Sequence, residues 1–199
     1  ELTQSQTILQ DQITKFADNI FKQNSPVTGG QITTNFGVSY IKLQETYLNT
    51  PIDVTQFDGQ LIQDDTGTIL ARVLKVSVTS NGDPNTLVVS YLSGNQFTNN
   101  SLIHVVGSTV TAQAYSTGAV GNSSVASISQ GVFYVLGNFV QVPASTIILN
   151  KYDNAPSNRI GLEINETIID YISDASLLDP AIGASNYQAP GADRYQVTL

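Results

Sequence analysis

Gln60-Leu-Ile-Gln-Asp-Asp-Thr-Gly-Thr-Ile-Leu-Ala-Arg-Val-Leu-Lys-Val-Ser-Val-Thr79 decides the fold class. Two apolar arms flank the polar turn Asp64-Asp-Thr-Gly67, a pattern that predicts a β-hairpin. The second arm is long. Its apolar positions, Leu70, Val73 or Leu74, Val76 and Val78, change phase midway, which predicts a β-bulge. Downstream, Asn81-Gly-Asp-Pro-Asn85 is a strong turn signal, and Thr86-Leu-Val-Val-Ser-Tyr-Leu92 reads as a buried strand. Upstream, Phe36, Val38 and Tyr40 alternate with Gly37 and Ser39 after a break at Gly29-Gly30.

The β character continues toward the C-terminus. Ser127–Pro143 predicts a tight hairpin turning at Gly137-Asn138, which would supply the positive φ angles. Ile147–Leu149 and Arg159–Ile169 read as further strands, the latter with a helical alternative after Asn165. Residues 93–101 and 115–124 read as polar loops. Asp174–Arg194 is too rich in Asp, Asn, Gly, Pro and Ala for one helix or strand. Its Leu177, Leu178, Ile182 and Tyr187 nevertheless predict an ordered corner, with Pro190 and Gly191 punctuating the backbone before an alternating strand, Tyr195–Leu199.

The opening segment differs. Leu9, Ile13, Phe16 and Ile20 are spaced by four, three and four residues, and Ile8 and Phe21 widen the stripe. This predicts an amphipathic helix over 3–23, capped by Thr3 or Ser5 and stopped by Asn24-Ser-Pro26. The opposite face carries Gln4, Gln6, Gln10, Gln12 and Lys15. The stripe spans about two heptads, short of a coiled-coil signature. Two readings stay open: packing on the chain's own β-domain, or against the helix of a symmetry mate. The fold expected is mainly β with an N-terminal α-helix, the antiparallel β-domain being sandwich- or barrel-like with long loop insertions. Residues 1–30 would form helix and linker and 31–199 the β-domain, with room for an inserted subdomain around 50–128.

Composition narrows the function. Charged residues make up 12% of the chain and Gln, Asn, Ser and Thr replace them, a surface suited to dense packing among neighbours. The net charge is −8, and the basic residues Lys15, Lys22, Lys42, Arg72, Lys75, Lys151, Arg159 and Arg194 are scattered, which argues against a nucleic-acid partner. Zero Cys removes disulfides and thiolate chemistry. No apolar run is long enough to predict a membrane span. The chain opens on Glu1 without a leader pattern and contains no Met, which suggests a segment of a longer protein.

Candidate chemistry is sparse. His104 is the sole histidine, and no Gly-x-Ser-x-Gly elbow offers it a nucleophile. Without a second His or any Cys, a zinc site is not expected. Glu163, Glu166 and Asp170 are close in sequence, but extended backbone would turn Glu163 and Glu166 to opposite faces, against glycosidase geometry. The turns at 64–67 and 81–85 could offer oxygens to a hard cation, yet neither matches a calcium loop. Gly29-Gly30 and Gly118-x-x-Gly121 lack the strand, helix and Lys of a phosphate loop. Asn-x-Ser/Thr triplets begin at Asn99, Asn122 and Asn165, with no secretory leader to support glycosylation. No catalytic residue, cofactor or metal site is expected.

Two stretches carry a family resemblance. Glu1–Thr33, with its Gln-rich helix, and the run from Gly131-Val-Phe-Tyr-Val-Leu-Gly-Asn-Phe-Val140 through Arg159-Ile-Gly-Leu162 to Ala189-Pro-Gly-Ala-Asp-Arg194 resemble virion structural proteins of tailed bacteriophages, chiefly contractile-tailed and cyanophage-like ones. In that family a short arm with Pro-Gly and Gln-Ala-Arg precedes the first stretch, and this chain lacks it. Residues 34–128 carry no such likeness. The resemblance implies a tail, baseplate or tail-fibre component, located in the virion and partnered by other virion subunits. A homo-oligomer is expected, with a trimer favoured. Interaction would fall on Leu9, Ile13, Phe16 and Ile20 of the helix and on Tyr187 and Arg194 of the corner. The competing reading is a receptor- or glycan-binding module of a fibre, with or without depolymerase activity, using loop aromatics such as Phe97 or Tyr115.

Overall fold

The computed structural model describes residues 2–199, with side chains from residue 4 onward. Its elements run α1 (Leu2–Asp18), β1 (Ser25–Gly29), β2 (Ile32–Lys42), β3 (Thr46–Tyr47), β4 (Thr50–Pro51), β5 (Leu61–Gln63), β6 (Leu70–Ser77) and β7 (Thr86–Ser93). There follow β8 (Leu102–Val105), β9 (Thr111–Gln113), β10 (Val120–Ile128), β11 (Gly131–Val135), β12 (Asn138–Val142), β13 (Ser145–Asn150), β14 (Asn165–Ile169) and β15 (Arg194–Thr198). The fold is mainly β with an N-terminal helix, and the sheets are antiparallel and curled like a half-barrel.

The chain divides into two compact units. One holds the segment through Gln31 with Ser129–Ala144 and Ile160–Leu199, and the other holds Ile32–Ile128 with Ser145–Arg159.

The second unit is an eight-stranded sheet in the order β13-β10-β2-β7-β6-β5-β8-β9. The bulge expected in 68–79 is present. Val73 pairs with Val89 while Lys75 pairs with Val88, so Leu74 is the extra residue. That slip lets the apolar residues on either side of Leu74 keep facing inward despite the change of phase. The turn at 81–85 also forms, with Asn81 and Gly82 at positive φ and Ser80 bridging Asp83. Curling brings the far edge back: Gln44 N donates to Gln113 O at 2.9 Å, and Tyr115 N to Lys42 O at 2.8 Å. The concave side encloses a core that includes Ile41, Leu43, Phe57, Ile62, Leu87 and Ile103, all fully buried. Across β7 the opposite face buries Val88 against Val38 and Val125, with Leu74 and Ile148. Both faces of β7 are thus covered, which is why its sequence reads as an unbroken apolar run.

The first unit holds a three-stranded sheet, β1-β11-β12, and the ribbon β14-β15. Phe21, Tyr134 and Phe139 form an aromatic cluster with ring centroids 5.3–5.9 Å apart. The expected corner exists: Gly191 N donates to Leu177 O at 2.9 Å, Asp179 N to Ala189 O at 3.0 Å, and Leu178 bridges Pro190.

Several local expectations need correction. The helix ends at Asp18, not 23, because Ile20 N and Phe21 N both turn back to Ala17 O at 2.9 and 2.7 Å. Ser5 lies inside α1 and is not its cap, while the side chain of Thr3 lies outside the described residues. The β11–β12 turn is Leu136-Gly137, at φ 50° and 76°, one residue earlier than expected; Asn138 pairs with Val135 as the first strand residue. Residues 120–124 belong to β10 rather than to a loop. Ile160–Ile164 is irregular, and the segment after Asn165 is strand, not helix.

Candidate functional site

α1 lies on the β11–β12 hairpin through a narrow polar and small-residue strip. Tyr134 is fully buried, and its hydroxyl donates to Asp18 Oδ1 at 2.8 Å and Thr14 O at 3.3 Å. Burial, and then the neighbouring Asp18 carboxylate, push the Tyr134 hydroxyl pKa up. Gln23 ties the helix exit to the turn: its Oε1 accepts from Leu136 N at 3.0 Å and its Nε2 donates to Asp18 at 2.9 Å. Ala17 is buried on this side.

That anchoring leaves the apolar stripe outside. Leu9, Ile13, Phe16 and Ile20 are 58%, 42%, 68% and 57% exposed, and Ile8 is exposed beside them. Leu9, Ile13 and Phe16 share one face of α1 and Ile20 extends it just past the helix end. The other two interaction candidates sit in the C-terminal corner. Tyr187 is exposed, whereas Arg194 donates to Asp174 Oδ2 at 3.2 Å and so helps close the corner.

The chemical candidates resolve into local structure. His104 bonds through Nε2 to Asp65 and through Nδ1 to Thr111 Oγ1 at 3.0 Å, joining the 64–67 turn to β8 and β9. Asp64 accepts from Thr66 Oγ1 at 2.5 Å, Ile69 N at 2.8 Å and Thr68 Oγ1 at 3.2 Å, bonds that lower its carboxyl pKa to about 2. Glu166 accepts from the Tyr195 hydroxyl at 2.6 Å. Of the loop aromatics, Phe97 is only 2% exposed and packs on Tyr91, so it cannot serve as a platform; Tyr115 is exposed.

Two further features join residues that are distant in the sequence. In one, Tyr40, Lys42, Lys151, Tyr152 and Asp83 interlock: Lys42 Nζ lies 4.3 Å from the Tyr152 ring centre, Lys151 Nζ pairs with Asp83 at 2.6 Å, and the Tyr152 hydroxyl donates to Asp83. Burial and then Asp83 raise the Tyr152 pKa to about 12. Burial disfavours ionisation of Asp83, but its bonds from Lys151 and Tyr152 outweigh that and hold its carboxyl below the usual range. In the other, β3, β4, the 3₁₀ turn Val54–Phe57 and the loop after β8 surround a cavity of about 330 Å³. An Asp53-x-Thr55 capping pattern was the one local hint there, since Asp53 Oδ1 accepts from Thr55 N at 3.0 Å.

A family model described as a domain of unknown function (DUF4815) matches residues 95–199, just over half of the chain. The chain belongs to the DUF4815 family. The DUF4815 match takes in β8 through β15 and the C-terminal corner, while α1 precedes it. No curated protein and no solved structure matches the chain. Among the described residues, no helix is long and apolar enough to cross a membrane.

Proposed function

We propose that this DUF4815 protein is a structural part of a bacteriophage virion, a tail, baseplate or tail-fibre component that works in assembly or in attaching the fibre to the tail. The resemblance of Glu1–Thr33 and of the 131–194 run to virion proteins supports the reading. The observation that carries it is the posture of α1: one side fixed to the β11–β12 hairpin through Thr14, Ala17 and Asp18, the other presenting Leu9, Ile13 and Phe16 outward. A free helix would fold its apolar stripe onto the nearest sheet. This one is held the other way up.

The occupant of that face is another virion subunit, first of all further copies of this chain. Spacings of four and three residues place Leu9, Ile13 and Phe16 at seam positions of a helix bundle, with Ile20 just past the helix end. Covering it removes on the order of 400 Å² of apolar surface per copy, worth roughly 10 kcal/mol at about 25 cal/mol/Å². A pairwise contact covers each stripe from one side only. A three-helix arrangement covers each stripe from two sides, which favours a trimer.

The test is the double substitution Ile13→Asp with Phe16→Asp. The variant is expected to fail to enter particles and to lose its oligomeric mass in light scattering while keeping the β circular-dichroism signal. Normal incorporation with unchanged mass would reject the helix as a docking element.

A further inference from the structure

The cavity of about 330 Å³ lies wholly within the eight-stranded unit and shares no residue with α1. Its volume is near the small end of ligand cavities, which run from roughly 300 to 1,000 Å³, and admits one ring-sized group. The half-buried Tyr47 ring, with Leu48, Pro51 and Val110, supplies apolar wall, and the fully buried Phe57 lies under it.

The polar lining favours acceptors. Asp53 Oδ1 is occupied by Thr55 N and by Thr55 Oγ1 at 2.6 Å, whereas Oδ2 takes only a 3.2 Å bond from Gln56 Nε2. A carboxylate offers about four lone-pair positions, so Asp53 retains capacity to accept. Its pKa is lowered, chiefly by the Thr55 side chain, which keeps it ionised. The bond to Asp53 also fixes the Gln56 amide. Thr111 reaches the lining with its hydroxyl held at 3.0 Å by His104, itself bonded to Asp65. No Lys or Arg is among the residues described in the lining. One fixed negative charge without a cation disfavours an anion. An apolar wall facing ionised and amide acceptors suits a neutral ring with C–H on one face and hydroxyl donors at its rim, because hydrogen bonds to a charged acceptor are about twice as strong as neutral ones.

We propose that this cavity binds a single neutral sugar ring, with Tyr47 stacking on its apolar face and Asp53 and Gln56 accepting from its hydroxyls. The binding is independent of the assembly role, since no residue of α1 takes part.

The experiment is an amide NMR titration of the full chain with a panel of methyl glycosides of glucose, galactose, mannose and N-acetylglucosamine, with glucose phosphate and methylammonium as charged probes. Expected is a saturable shift of the Thr50, Asp53, Gln56 and Thr111 amides with at least one neutral glycoside. Affinity should fall about tenfold or more in Tyr47→Ala and in Gln56→Ala. The same spectra report whether each variant folds, and Tyr47→Ala leaves the Asp53 cap untouched. Ile13→Asp/Phe16→Asp should bind the same glycoside as the parent, so failure of the assembly reading leaves this result standing. No shift at those amides with any neutral glycoside, equal binding by both variants, or preference for either charged probe would overturn the proposal.

Discussion

Gly137 holds a backbone angle of φ 76°, and a Cβ added there would stand 2.8 Å from Thr14 Cγ2. Left-handed backbone costs a residue with a Cβ about 1–2 kcal/mol, before the helix is pushed outward. Gly137→Ala is therefore expected to lower unfolding free energy by about 1–3 kcal/mol in denaturant titrations. Adding Thr14→Ala should recover the part due to crowding and leave the part due to strain. Asp64 gives a prediction in pH. Its folded pKa, about 2, lies below the ordinary 3.8, so its contribution is fully present above the unfolded value and is lost as pH falls through about 2. Thermal midpoints followed from pH 5 down to 2 should decline less steeply in Asp64→Asn than in the parent, although the variant starts lower. An identical slope would mean that the bonds from Thr66, Thr68 and Ile69 do not discriminate between the charge states.

At the scale of elements, two variants separate what anchors α1 from what it presents. Tyr134→Phe removes the hydroxyl that bonds Asp18 and Thr14, at a cost of about 1–2 kcal/mol, and should speed hydrogen exchange across the helix. It should leave the oligomeric mass largely unchanged, because the outward stripe is intact; Ile13→Asp/Phe16→Asp should do the reverse. Elements governed by near neighbours were legible in the sequence. The bulge at Leu74 showed as a phase change, the 81–85 turn as Asn-Gly before Pro, and the corner before Arg194 as punctuation around Pro190 and Gly191. Elements governed by distant partners were not. Gly137-Asn138 is locally the better pair for positive φ, because Leu136 carries a Cβ, and what selects Leu136-Gly137 is remote: Leu136 N on Gln23, and Tyr134 beneath Asp18. Phe97 reads as an exposed loop aromatic, yet its loop folds back on Tyr91 of the preceding β7, whose hydroxyl accepts from its N–H, and sends the ring into a core built from distant residues such as Ile41 and Ile62. The helix was foreseen with its stripe, but not the side on which it would lie. Tyr134, which decides that, is 116 residues from Asp18.

Across the whole molecule, the fold class followed from alternation and turn spacing, whereas the cavity could not. Its walls come from 47–57 and 109–111, and only curling of the sheet brings those segments together. The interlock of Lys42, Lys151 and Tyr152 with Asp83 is similarly non-local, and it pins a stretch that has no ladder of its own beyond Asn150. One feature of the eight-stranded sheet reaches into dynamics. β7 lies mid-sheet, hydrogen-bonded on both flanks to β2 and β6 and roofed on both faces by separate apolar clusters. Fraying from either margin must dismantle neighbouring strands before solvent meets its peptide groups. Deuterium therefore enters Leu87, Val88 and Val89 only when that entire body opens, and these three amides serve as a built-in gauge of its global stability.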